Sequence, residues 1–134
     1  MKDFSYHHCG VSVPVLQEAV AWYCEKLGFE VERQFYIPPA KADVAILRKG
    51  NLRFELLCVE GSKPVPDERK TPDSDIKTQG NKHVAFATDD TESLLSWFVE
   101  QGVDIAMVIR ADHGTGFYIR DCAGNLIEFV QEAS

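Results

Sequence analysis

The chain of 134 residues is long enough for one compact domain that removes roughly two-thirds of its unfolded surface from water, with no need of disulfides. Its composition, 45% hydrophobic and 26% charged, is that of an ordinary globular protein, and no apolar run approaches the ~20 residues that cross a bilayer, which excludes a helical membrane span. A net charge of −7 opposes nucleic acid and acidic membranes, whose binding begins with phosphate neutralisation by clustered Lys and Arg, so neither partner is expected.

The opening stretch, Met1 to Tyr6, has no continuous apolar segment and does not read as a secretory signal. Cys9, Cys24, Cys58 and Cys122 form no CxxC pair and sit in apolar segments, which suits buried thiols in a reducing compartment; the expected location is cytoplasmic.

Cys9, Val11 and Val13 alternate with His8, Gly10 and Ser12, the period of a half-buried strand, and Pro14 ends it. By the same parity His7 falls on the face opposite His8 and reads as an exposed residue. Leu16, Ala19, Val20, Tyr23 and Leu27 then make one apolar stripe of a helix lying over the Cys9, Val11 and Val13 face, and Gly28 is its natural left-handed cap. Three strand-like runs follow, at about 30–37, 42–49 and 51–59, separated by Pro38-Pro39 and Gly50-Asn51. Residues 61–81, with Pro64, Pro66, Pro72 and many charges, read as a connecting loop without a core of its own.

From His83 the pattern repeats. Val84 and Phe86 alternate with His83, Ala85 and Ala87; Asp89-Asp90-Thr91 offers caps for a helix with the stripe Leu95, Phe98 and Val99; Gly102 closes it. Runs at about 104–109, 115–120 and 125–131 follow, with turns at His113-Gly114 and Gly124-Asn125. The chain is therefore expected to be α+β, a single domain of two βαβββ modules (about 4–60 and 82–132) joined by residues 61–81. Gly50-Asn51-Leu52 and Gly124-Asn125-Leu126 each precede a glutamate, and the repeat separations nearly agree: 75 residues from His8 to His83 and 73 from Glu55 to Glu128.

Strand parity assigns faces without coordinates. His8 projects away from Cys9, Val11 and Val13; His83 projects away from Val84 and Phe86. Glu55 stands opposite Phe54 and Leu56, and Glu128 opposite Ile127 and Phe129, so two acids occupy apolar strands. A buried carboxylate without a partner is costly, and a cation shared by His8, Glu55, His83 and Glu128 satisfies all four. Two imidazole nitrogens and two carboxylates suit one divalent ion, Ni²⁺, Co²⁺, Zn²⁺, Mn²⁺ or Fe²⁺. Arg53 shares the Glu55 face and is a partner either for Glu55 or for an anionic substrate.

Four motifs, His8-Cys9-Gly10-Val11-Ser12-Val13, Ala21-Trp22-Tyr23-Cys24-Glu25-Lys26-Leu27-Gly28-Phe29, Lys82-His83-Val84-Ala85-Phe86 and Asp121-Cys122-Ala123-Gly124-Asn125-Leu126-Ile127-Glu128-Phe129, together resemble the vicinal oxygen chelate superfamily of glyoxalases, bleomycin-binding proteins and extradiol dioxygenases. The resemblance implies mixed four-stranded sheets that close around a metal-binding cavity, with ligands on the first, fourth, fifth and eighth strands, where His8, Glu55, His83 and Glu128 fall. It also implies a homodimer acting on a small molecule.

The ligand set is most similar to that of glyoxalase I, which implies a lyase or isomerase working on a 2-oxo or thioester-type substrate through a metal-stabilised enediolate, with Glu128 and Glu55 as base candidates. Ser12 stands where bacterial glyoxalase I enzymes carry an arginine for the glutathione carboxylate, and the 28-residue interval from Glu55 to His83 resembles methylmalonyl-CoA epimerase instead, where Gln replaces Glu55. The likeness to extradiol dioxygenases implies a facial triad of His8, His83 and Glu128, with His113 as an outer acid or base and Tyr118 as a phenolic donor. A third reading by resemblance is a binding protein that sequesters an antibiotic.

Overall fold

The computed structural model describes residues 1–132, and the chain divides into two compact units, Met1–Lys63 and Pro64–Ser134. Among the described residues no helix is long and apolar enough to cross a membrane.

In the first unit, β1 (Cys9–Ser12) leads to α1 (Leu16–Leu27), then β2 (Glu30–Ile37), a 3-10 turn at Pro38–Ala40, β3 (Ala42–Lys49) and β4 (Leu52–Val59). The sheet order is β1-β4-β3-β2, with β1 parallel to β4 and the other pairs antiparallel. A parallel pair cannot be joined by a tight turn, so α1 makes the crossover. The stripe read from the sequence is the buried one: Leu16, Ala19, Val20, Tyr23 and Leu27 all pack inward. Gly28 ends the helix at φ 76°, a conformation costly for a residue with Cβ, and its N–H reaches the Cys24 and Tyr23 carbonyls. Tyr23 meets Phe54 edge-on at 4.9 Å and Phe29 meets Phe54 at 5.3 Å, so α1 covers the Phe54 and Leu56 face of the sheet. Each such ring, fully buried, is worth about 2–3 kcal/mol.

The second unit repeats the plan with β5 (Val84–Thr88), α3 (Thr91–Glu100), β6 (Asp104–Ala111), β7 (Gly114–Arg120) and β8 (Leu126–Gln131), in the order β5-β8-β7-β6 with β5 parallel to β8. The Asp90 carboxylate accepts from the Ser93 N–H at 3.0 Å and starts α3. Phe98 packs on Phe117 and Phe129, which stack at 5.3 Å. Gly116 lets β7 approach β8 closely, since a Cβ there would lie 2.5 Å from the Phe129 carbonyl oxygen. Among the described residues each sheet has four strands, and two β-bulges, at Val31/Arg33 and Ile105/Met107, bend the outer strands.

Three expectations change. Val99 is exposed, and the buried side of α3 is Thr91 and Phe98 with Leu94 and Leu95 half-buried, because the helix begins at Thr91 and sets a different phase. No disulfide joins the four cysteines among the described residues; Cys9, Cys24 and Cys58 are only half-buried and Cys122 is exposed; burial pushes the Cys9 thiol up from its ordinary value. The connecting stretch is not a bare loop. From Pro64 on it belongs to the second unit, and it contains a 3-10 turn at Asp67–Arg69 and α2 (Pro72–Asp75), organised around a buried Asp75. Arg69 Nε donates to Asp75 Oδ1 at 2.9 Å, Arg69 also donates to the Asn81 carbonyl at 2.7 Å, and Lys82 Nζ donates to Asp75 Oδ1 at 3.2 Å, the Asp75 carbonyl and the Thr78 carbonyl.

Burial raises the Asp75 pKa, and the hydrogen bonds and charges of Arg69 and Lys82 more than reverse this, holding it below the ordinary 3.8. Its stabilisation is therefore fully present above pH 3.8 and lost as pH falls through the lowered folded value. Asp75→Asn is expected to lose about 2–3 kcal/mol in urea unfolding at pH 7, and the gap to the native chain should close on acidification below that range; a gap independent of pH would contradict the charge pairing.

Candidate metal centre

The first strand of each unit lies against its last in one common register. Gly10 is opposite Glu55 and Ala85 is opposite Glu128. His8 and His83 each stand two residues upstream of that partner, just before the strand begins. In the first unit His8 Nε2 lies 3.6 Å from Glu55 Oε1; in the second His83 Nε2 lies 3.1 Å from Glu128 Oε1. The same nitrogen and the same type of oxygen meet in both. Side chains of the four are between 18% and 34% exposed, so the glutamates are half-buried and each acid is matched within its unit by one imidazole. Among the described residues no third His, Cys, Asp or Glu joins either pair as a group that could hold a metal ion.

Within each unit, taken by itself, the two donors are spaced as two neighbouring ligands of a cation would be. Two donors about 2.1 Å from an ion lie about 3.0 Å apart in an octahedron and about 3.4 Å apart in a tetrahedron. Neutral imidazole and ionised carboxylate are also the donor chemistry that divalent transition ions take.

Two further residues attend these pairs. His7 Nδ1 lies 2.7 Å from His8 Nδ1, with the rings edge to face at 5.0 Å. If His8 offers Nε2 as a lone-pair donor, its Nδ1 carries the proton and donates to His7, which fixes ring and tautomer. His7 is exposed, as expected, but it does not stand on the face opposite His8: β1 begins at Cys9, so strand parity does not reach His7 and its ring meets that of His8.

Tyr118, opposite Glu128 on β7, packs its ring against His83 at 5.0 Å and 86° and hydrogen-bonds the Glu128 carboxylate. Burial first, then the charge of Glu128, that hydrogen bond and the charge of Asp73 push the phenol up to about 12, so it stays a donor at neutral pH. His113 instead sits exposed in the turn between β6 and β7, about 16 Å along the strand from Tyr118.

Arg53, left open between Glu55 and a substrate, pairs with Glu32: Nε to Oε2 is 3.0 Å and a second N–H reaches Oε1 at 3.4 Å. Arg48 reaches the same carboxylate at 3.3 Å. The hydrogen bond from Arg53 above all holds the Glu32 carboxyl below its ordinary value.

Residues 5–129 match the family model of the Glyoxalase/Bleomycin resistance protein/Dioxygenase superfamily. No curated protein sequence matches the chain. Solved structures with the same fold include a glyoxalase family protein from Enterococcus faecalis (23% identity, TM-score 0.78, 95% of this chain and 97% of that one). The trypanothione-dependent glyoxalase I of Leishmania major is similar at 20% identity and TM-score 0.72, over 97% and 88% of the two chains. A genomically encoded fosfomycin resistance protein from Listeria monocytogenes matches at 12% identity and TM-score 0.69, over 99% and 95%. With two βαβββ units, a His–Glu pair in the same register of each, and a family match across nearly its whole length, this chain belongs to the glyoxalase/bleomycin resistance protein/dioxygenase superfamily.

Proposed function

We propose that this chain is a divalent-metal-dependent lyase or isomerase of glyoxalase type, acting on a small 2-oxo or thioester-type substrate through an enediolate. The observation that carries the reading is the duplicated His–Glu pair, Nε2 beside Oε1 in an identical register of two sheets. Two such pairs, from one chain or from two, supply the set His8, Glu55, His83 and Glu128, whose donors suit Ni²⁺, Co²⁺, Zn²⁺, Mn²⁺ or Fe²⁺. Glyoxalase-like proteins commonly bind small molecules as homodimers, and we extend that to this chain.

When bound, the ion supplies a Lewis acid that acidifies the C–H beside the substrate carbonyl. The residues do the rest. His8 and His83 present their Nε2 atoms, the first held in place through His7. Glu128 takes a proton from one carbon and returns it to the next, which conserves atoms and charge over the cycle. Tyr118 holds that carboxylate from the opposite strand and keeps it aimed. Glu55 is the second carboxylate available to the same proton.

A second reading is a non-haem Fe(II) dioxygenase with His8, His83 and Glu128 as its triad. The wider spacing of the first pair, 3.6 Å against 3.1 Å, favours it by leaving Glu55 the looser of the two acids.

Glu128→Gln should lower kcat by on the order of 10²–10⁴-fold while substrate affinity changes little; unchanged turnover would remove the base role. Tyr118→Phe keeps the ring on His83 and deletes the hydroxyl, so kcat should fall about tenfold with metal content unchanged by elemental analysis. Reconstitution across the five ions separates the two readings: isomerase activity with several ions supports the first, whereas oxygen uptake appearing only after anaerobic Fe²⁺ loading supports the second. Light scattering on the same sample is expected to report twice the 15.1 kDa of one chain.

A further inference from the structure

His83 stands just before β5, outside the ladder that holds Val84–Thr88 against β8. A side chain there keeps one direction only if the chain leading into it is held by other means, and in this unit it is. Both residues ahead of His83 are fastened to the stretch around α2. Arg69 donates to the Asn81 carbonyl at 2.7 Å while its Nε donates to Asp75 Oδ1 at 2.9 Å. Lys82 Nζ donates to the same Oδ1 at 3.2 Å, to the Asp75 carbonyl at 2.7 Å and to the Thr78 carbonyl, which engages all three of its N–H bonds. Gly80, at φ 121°, turns the chain back between Thr78 and Lys82, a conformation that a residue with Cβ rarely adopts. The Asp75 side chain is 2% exposed and that of Lys82 19%, so water competes little for these bonds.

The same stretch is fastened at its other end to β7. Arg120 Nε donates to the Lys70 carbonyl at 2.6 Å, and a second N–H of Arg120 reaches Asp104 on β6 at 3.1 Å. Arg120 and Tyr118 are two residues apart on β7 and share a face. Tyr118 holds Glu128, and Arg120 holds the strap that leads to His83. Both members of the His83–Glu128 pair are thereby referred to one strand, although they lie 45 residues apart in sequence. The approach to His8 in the first unit is looser. There the Tyr6 hydroxyl donates to the Arg53 carbonyl at 3.5 Å from an exposed position, and His8 lies 3.6 Å from Glu55, against 3.1 Å for His83 and Glu128.

We propose that Lys82, clamped by Asp75 and braced by Arg69, is a positioning residue for His83, and that the strap from Arg69 to Lys82 sets the imidazole against Glu128. This rests on the metal-site reading only for what the pair is used for; the hold on His83 stands on its own geometry. A carboxylate only accepts, so in metal-free protein the His83 nitrogen that meets Glu128 carries the proton, and the ring is kept in that one tautomer as long as the strap keeps it in place.

The test reads each imidazole by itself, in long-range proton–nitrogen correlation spectra of metal-free native chain and Lys82→Met at pH 8, with His8 as the internal control. Native His83 should show the single tautomer protonated at Nε2. In Lys82→Met its two ring nitrogens should move toward the average of exchanging tautomers, while His8 and the backbone amides of β7 and β8 keep their positions. Titrated with Co²⁺ alone, Lys82→Met should bind about tenfold more weakly than the native chain, or weaker still. Arg69→Gln frees Asn81 but leaves Asp75 on Lys82; this milder change should move the same signals in the same direction, and it decides the matter where Lys82→Met does not fold. His83 signals that stay put in a folded variant overturn the positioning role, and so does a movement that His8 shares equally. His83 signals that move while Co²⁺ affinity holds, or a native chain that takes up no Co²⁺, count against the metal-site reading and leave the imidazole spectra to decide the role of Lys82.

Discussion

In each unit the first strand runs parallel to the last, with a histidine two residues upstream of the position opposite a glutamate. Most of the structure follows from that pairing. A parallel pair needs a long crossover, so a helix must return over one face of the sheet. In the first unit that face receives Phe54, Leu56 and Tyr23; in the second it receives Phe98, Phe117 and Phe129. The opposite face is left free of the helix, and there polar groups can stand between apolar rows. The histidines sit beyond the last paired residue, where the backbone no longer dictates where the side chain points, and the imidazoles turn to the neighbouring glutamates.

The two halves are equal in register and unequal in setting. The second pair is closer and is backed by Tyr118, which reaches Glu128 from the next strand and His83 with its ring. The first pair is wider and is backed by His7 from the same chain segment. The His–Glu pair is common to both units and the groups that support it differ.

Charge is also distributed against the average. Asp75, buried with Arg69 and Lys82, ties the proline-bearing stretch to the residue just before His83. Glu32 gathers Arg48 and Arg53 at one end of the first sheet. In the first arrangement the hydrogen bonds and charges of Arg69 and Lys82 outweigh the cost of burying the Asp75 carboxylate; the second, more exposed, is worth little to stability.

Much of this was legible in the residues. Strand limits at 30–37 and 42–49, the α1 stripe and its Gly28 cap, and the facing of Glu55 and Glu128 away from Phe54 and Ile127 depend only on local periodicity and backbone chemistry, and the structure has each of them. The equal register of two repeats was implicit in the spacing of four residues. What tertiary structure decided lies where periodicity stops. His7 precedes the strand, so its meeting with His8 depended on side-chain rotamers. Arg53 chose Glu32 because a bulge in β2 turned that carboxylate toward it, and no pattern in the sequence marks a bulge. The buried Asp75 lay in a stretch whose prolines and charges read as loop, since a carboxylate is expected inside only once its two cations are seen to be there. Sequence alone determined which residues share a face, because that is set by the backbone repeat; only the folded chain decided which polar groups meet across strands, because that is set by register, bulges and the free energy of pairing charges out of water.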